Sequence, residues 1–227
     1  MQRDPEGKEI KVIQKLLDPF AGDLLEVGCG DGRLTTQLAG MCRTLTALDP
    51  ALPWAELAGD TYTGGTRFLC ASGENLPFAD NSFDVVVFSL SLHHQDPVRA
   101  LVEARRTVRK GGRILVLEPE AESPINQLFR IIHNEDHAYI RSVAAIEECS
   151  VEVTDLGTYE TVWRFADFNE MVACLFEHFD LEPDPEYADS MAELLPDHRD
   201  SKPLDVGDTT RYWLLRAGPG KNQTQFR

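Results

Sequence analysis

The sequence predicts an α/β protein, an open parallel sheet with helices on both faces. Three observations predict it. Short apolar runs at Leu24–Val27, Thr44–Leu48, Arg67–Cys70, Phe83–Phe88 and Ile114–Leu117 alternate with segments of helical period up to residue 119. The first run leads directly into Gly28, Gly30 and Gly32, the form of a strand, a tight loop and a helix that receive a nucleotide-like ligand. The second ends on Asp49, about 20 residues beyond the first glycine, where a carboxylate can accept both hydroxyls of a ribose.

Taken in order, Ile10, Ile13, Leu16 and Leu17 space as a helix stopped near Asp18-Pro19. Leu24–Val27 is too short and too apolar for a helix and reads as a buried strand. Leu34, Leu38 and Met41 resume helical spacing after the glycines. Pro53–Ala58 reads as a short helix and Gly59–Gly65 as a loop before the third strand. Val98, Leu101, Val102, Arg105 and Val108 form one helix face, ended by Lys110-Gly111-Gly112. The fifth strand closes at Glu118-Pro119. Beyond it, Pro124–Cys149 reads as two helices and Val151–Phe165 as a hairpin or extended arm. Phe168, Met171, Val172, Leu175 and Phe176 stripe a further helix, and Thr209–Arg216 is the last strand. A single domain over residues 1–227 follows, with residues 8–119 as its ligand-binding half. Residues 120–165 are too long for a loop and are expected to cap the sheet's carboxyl edge; residues 218–227 are expected to form a frayed tail.

Composition narrows the partners. Acidic residues number 38 against 22 basic, a net charge of -16, which repels phosphate backbones and anionic membranes. The five cysteines, Cys29, Cys42, Cys70, Cys149 and Cys174, are odd in number and include no Cys-x-x-Cys pair. They argue against a disulfide framework or a zinc site and for reducing surroundings. With no apolar leader at Met1–Glu6 and no membrane-length apolar run, a cytoplasmic protein is expected. Oligomeric state is left open by the sequence.

The glycine spacing is Gly-x-Gly-x-Gly, not the Gly-x-Gly-x-x-Gly of nicotinamide and flavin enzymes, and it lacks the Lys-Ser/Thr ending of a triphosphate loop. Six motifs in order cover half of the chain: Leu25-Glu26-Val27-Gly28-Cys29-Gly30-Asp31-Gly32, Leu48-Asp49-Pro50, Ala71-Ser72-Gly73-Glu74-Asn75-Leu76-Pro77-Phe78, Phe83-Asp84-Val85-Val86, Leu92-His93-His94 and Val108-Arg109-Lys110-Gly111-Gly112. In these the chain resembles the class I S-adenosylmethionine-dependent methyltransferases, in the small-molecule branch that includes the ubiquinone/menaquinone biosynthesis enzymes. The resemblance implies a Rossmann-like seven-stranded sheet in the order 3-2-1-4-5-7-6. It implies S-adenosylmethionine lying across the carboxyl ends of strands one to four, with S-adenosylhomocysteine as product and a small molecule as methyl acceptor. Glu26, Gly28, Cys29, Gly30 and Gly32 would cradle the methionine portion, and Asp49 would hold the ribose. Pro50, Ser72, Gly73 and Glu74 would line the adenine. Ser89 and Leu90 would face the amino group and sulfonium, and His94 is a candidate cofactor contact. Ser72 stands where many relatives carry an aspartate that contacts the adenine amino group.

An electrophilic methyl needs chiefly alignment, and a base only for an acceptor of high pKa. His93 and His94 are the candidate bases. Glu118, His133, His137, Tyr139 and Trp163 are candidate acceptor contacts. His133 and His137, four apart, could share a helix face, but no third ligand accompanies them and no metal is expected. The rival function is a non-catalytic or regulatory protein that binds S-adenosylmethionine.

Overall fold

A computed structural model describes residues 1–18, 20–51, 66–149, 151–196 and 199–218. The expected helix at 53–58, the loop at 59–65 and the tail beyond residue 218 lie outside the described residues. The chain runs β1 (Gln2–Arg3), α1 (Lys8–Leu17), β2 (Asp23–Val27), α2 (Arg33–Leu38), β3 (Thr44–Asp49), β4 (Thr66–Cys70) and β5 (Phe83–Ser89). After a 3-10 turn at Leu92–His94 come α3 (Pro97–Thr107), β6 (Val108–Pro119), α4 (Pro124–Ile132), α5 (Asp136–Glu148), β7 (Glu152–Phe165), α6 (Phe168–Glu177), α7 (Pro185–Leu194) and β8 (Leu204–Arg216).

The strand order is β1-β7-β8-β6-β5-β2-β3-β4. With β2 as the first strand of the expected seven, this contains 3-2-1-4-5-7-6. The count is corrected from seven to eight, because the two residues of β1 pair antiparallel with β7 through Gln2–Arg164 and Arg3–Trp163. Strands β2, β3, β4, β5 and β6 pair in parallel, as buried apolar runs joined by helical crossovers should.

Two compact units divide the chain. One comprises residues 13–118, 140–157 and 212–227. Its core is built from Leu25, Val27, Leu48, Val86, Phe88, Leu101, Ile114, Val116, Ile146 and Trp213. The helix α3 begins where sequence chemistry puts it: Asp96 accepts from Val98 N and Arg99 N, and Pro97 follows at the first helical position. It ends at Thr107, before the expected Val108, which is recruited into β6 opposite Phe83. The other unit comprises residues 1–12, 119–139 and 158–211, around Leu128, Phe165, Met171, Leu175, Phe176, Met191 and Leu204.

Residues 152–165 form one extended strand and no hairpin, running through Gly157 without a break; the side chain of Tyr212 packs over that glycine. His133 and His137 do not share a helix. The first ends α4, the second lies in α5, and Asn134 Oδ1 between them accepts from Asp136 N to start the second helix. Among the described residues no helix is long and apolar enough to cross a membrane.

Candidate functional site

The first unit assembles the expected cofactor residues at the carboxyl ends of β2, β3, β4 and β5. Gly28, Gly30 and Gly32 all have positive φ, at 78°, 50° and 73°. That backbone turns the chain out of β2 and lets Gly28 N and Cys29 N both donate to Leu48 O, at 2.8 and 3.0 Å. The loop is thus tied to the end of β3. Asp49 completes the tie: Oδ2 accepts from Gly30 N at 3.0 Å, and Oδ1 accepts from Ala51 N at 2.8 Å. Its half-buried carboxylate is held beside the glycine loop by these two backbone N–H groups. Pro50, exposed next to it, accepts a long contact from Cys70 Sγ at 3.7 Å.

Glu26 is buried at the end of β2 and accepts from Thr35 Oγ1 at 2.6 Å. Cys29 is buried too. Burial, reinforced by the charges of Glu26 and Asp49, pushes its thiol up to about 12, so it is neutral at ordinary pH. Ser72 Oγ accepts from Glu74 N at 3.2 Å, and Glu74 Oε1 accepts from Asp96 N at 2.8 Å. Ser89 and Leu90 end β5, with Leu90 at φ 53° and its N–H on Leu117 O at 2.8 Å.

Several groups that sequence reasoning did not single out complete the site. Ser91 Oγ donates to Val27 O at 2.6 Å. Arg106 donates to the carbonyls of Leu76 and Phe78 at 2.9 and 2.7 Å and pairs with Glu103, whose Oε2 accepts from Leu76 N at 2.9 Å. This clamp fixes the loop that follows residues 72–74. Gln95 Nε2 donates to Ser91 O at 3.0 Å, which sets the amide orientation and turns Oε1 toward Gly73. Gln95 Oε1 is buried and has no hydrogen-bond partner among the described residues. The only signal for these residues is their neighbourhood in sequence; their roles arise from crossings between β5, α3 and the loop.

The candidate bases differ. His93 is buried and its Nδ1 meets Glu118 Oε2 at 2.8 Å, whereas His94 is exposed and packs against it with ring centroids 4.0 Å apart. Glu118, expected as an acceptor contact, is fully buried. In the other unit, His133 and His137 are exposed, and Tyr139 is buried with its hydroxyl donating to Glu135 at 3.1 Å. Trp163 is buried and its Nε1–H donates to Asp208 at 3.0 Å. A separate open groove on α1, lined by Gln14, Leu17, Phe20 and Met41, holds none of these groups.

These residues fit S-adenosylmethionine. A glycine cradle stands against a fixed carboxylate, and an acceptor awaiting a donor lies beside Gly73. Residues 25–116 match the family model described as a methyltransferase domain. The O-methyltransferase rstn1 of Aspergillus nomiae is 32% identical over 154 residues, covering 56% of this chain and 68% of that protein. The chain belongs to the class I S-adenosylmethionine-dependent methyltransferases.

Other members of the methyltransferase family share smaller parts of it. The uncharacterized methyltransferase Rv3342 of Mycobacterium tuberculosis is 34% identical over 104 residues, 46% of this chain and 42% of that protein. The chain therefore spans less than half the length of that relative. Among solved structures, the geranyl diphosphate C-methyltransferase of Streptomyces coelicolor, described in complex with Mg2+, geranyl diphosphate and S-adenosyl-L-homocysteine, has the same fold. Its TM-score is 0.57 at 12% identity, over 93% of this chain and 79% of that one.

Proposed function

We infer that this chain transfers the methyl group of S-adenosylmethionine to a small-molecule acceptor by in-line displacement. The bound cofactor supplies an electrophilic methyl on a sulfonium. An electron pair of the acceptor atom would form the new bond to the methyl carbon as the carbon–sulfur bond breaks, that bond's pair staying on sulfur in the product S-adenosylhomocysteine. The acceptor's proton, where it has one to lose, passes to a base or to water. The chain's own residues bind and orient, which supplies much of the rate in such a reaction.

The observation that supports this function is Asp49, whose carboxylate accepts from Gly30 N and Ala51 N beside the glycine loop and would accept ribose hydroxyls there. Gln95 Oε1 gives the adenine amino group an acceptor beside Gly73, the contact that Ser72 in place of aspartate leaves open. Residues 120–165 are proposed as the acceptor-binding insertion, with His133, His137, Tyr139 and Trp163 as its candidate contacts. His94, exposed beside the end of β5, is the candidate group facing the reacting atoms. The acidic surface favours a neutral or cationic metabolite over nucleic acid. The five free cysteines suit a reducing compartment, the cytoplasm.

Release of S-adenosylhomocysteine on incubation with S-adenosylmethionine and fractionated small metabolites tests the proposal. Acceptor-dependent release supports it. Saturating cofactor binding with no release from any fraction, nucleic acid and protein included, would favour the regulatory rival.

A further inference from the structure

Glu118 lies near the end of β6 and is fully buried, a costly place for a carboxyl group unless its oxygens are engaged. They are. Oε1 accepts from Leu92 N at 3.1 Å; Oε2 accepts from Ser142 Oγ at 3.1 Å and meets His93 Nδ1 at 2.8 Å. All four residues belong to one compact unit. Leu92, His93 and His94 form the 3-10 turn directly after β5, so one buried side chain grips both the backbone of that turn and its first imidazole. The second imidazole, His94, is exposed and lies on the first with the rings inclined at 48°.

The hydrogen-bond chemistry has a direction. Leu92 N–H can only donate, which makes Oε1 an acceptor. A carboxylate has no hydrogen to offer, so with Glu118 as a carboxylate His93 presents Nδ1–H to Oε2. A side chain that only filled the core here would not need this polarity.

We propose that Glu118 is a positioning residue that acts on the active site through His93. It selects the Nδ1–H tautomer and holds the turn that presents His94, and it does not itself contact the acceptor. The catalytic consequence rests on the methyltransferase function proposed above; the tautomer does not.

Glu118→Gln separates shape from charge. The amide oxygen remains on Leu92 N–H, the amide NH2 faces His93, and Nδ1 must now accept, which moves the imidazole hydrogen to Nε2. Nitrogen-15 spectra of His-labelled protein should report Nδ1–H at His93 in the wild type and Nε2–H in E118Q. The value of kcat should fall tenfold or more, while the KM and Kd for S-adenosylmethionine stay within twofold. Ser142→Ala, which leaves the His93–Glu118 contact in place, should stay within threefold of wild-type kcat. The same tautomer in wild type and E118Q, or a changed tautomer with unchanged kcat, would overturn the proposal. A wild type that neither binds nor consumes S-adenosylmethionine would instead sink the methyltransferase function and with it the catalytic consequence, while the spectra would still decide the tautomer.

Discussion

Ser91 stands where a side chain on Gly28 would have to go. Its Cβ lies 2.3 Å from the position of a Cβ built on that glycine, because its hydroxyl is committed to Val27 O. Gly28 also sits at φ 78°, where an L-residue is strained. Gly28→Ala should lose about 2–4 kcal/mol, the sum of left-handed strain and overpacking. Gly30→Ala has the strain but, among the described residues beyond its chain neighbours, no atom within 4 Å of the added Cβ, and should lose only about 1 kcal/mol. Urea midpoints of the two variants check the ranking; equal losses would contradict it.

Arg106 ties together Leu76 O, Phe78 O, Asp80 and Glu103. Truncation to Met removes these bonds and leaves the carboxylate of Glu103 without its guanidinium. The expected loss is about 1–3 kcal/mol, moderated by partial exposure of the pair. Hydrogen exchange should quicken at Leu76 and Phe78 more than at the β5 strand. Uniform quickening would mean that the clamp has no local role.

The Asp23 carboxyl is held well below the usual carboxylate range. Hydrogen bonds from Arg43 contribute most, followed by those from Thr44 and then Arg109, against opposing burial. A depressed folded value stabilises the native state above the ordinary unfolded value of about 3.9, and the stabilisation is lost as pH falls below it. Thermal melts of wild type and Asp23→Asn should therefore differ near neutral pH and converge toward pH of about 2. A constant gap at every pH would contradict this assignment.

Cys29 and Cys70 should separate under alkylation. The Cys29 thiol is buried and pushed up to about 12, while Cys70 is exposed. Iodoacetamide at mildly alkaline pH should label Cys70 in the native protein and Cys29 only after unfolding. Mass spectrometry of the tryptic peptides distinguishes the two, and native labelling of Cys29 would show that the glycine loop opens.

The cofactor half was legible because its chemistry is local. Gly28, Gly30, Gly32 and Asp49 announce themselves by spacing, and buried parallel strands such as Leu24–Val27 and Phe83–Phe88 are short, mostly apolar runs, each carrying one acid, Glu26 or Asp84. The spacing of Val108 suits a helix, but pairing of β6 with β5 overrides that local preference. Val151–Phe165 contains a glycine that resembles a break, yet the strand runs through it, with Tyr212, far away in sequence, packed over it. The helix α7, begun by Asp184 and Pro185, went unread, although its cap is of standard chemistry, because its charged residues mask the apolar stripe. Glu118 looked like a rim residue for a similar reason. Nothing in Leu117-Glu118-Pro119 reveals that His93 and Ser142 will fold around it.

Binding of S-adenosylmethionine by Asp49 and the glycine loop can be measured by isothermal calorimetry with S-adenosylmethionine, S-adenosylhomocysteine and NADH, on wild type and Asp49→Ala at low and high salt. Micromolar binding of the two sulfur ligands alone, weakened at least tenfold by the substitution, is the predicted result. No binding of either sulfur ligand by folded wild-type protein at any salt, or equal binding by Asp49→Ala, would contradict the account.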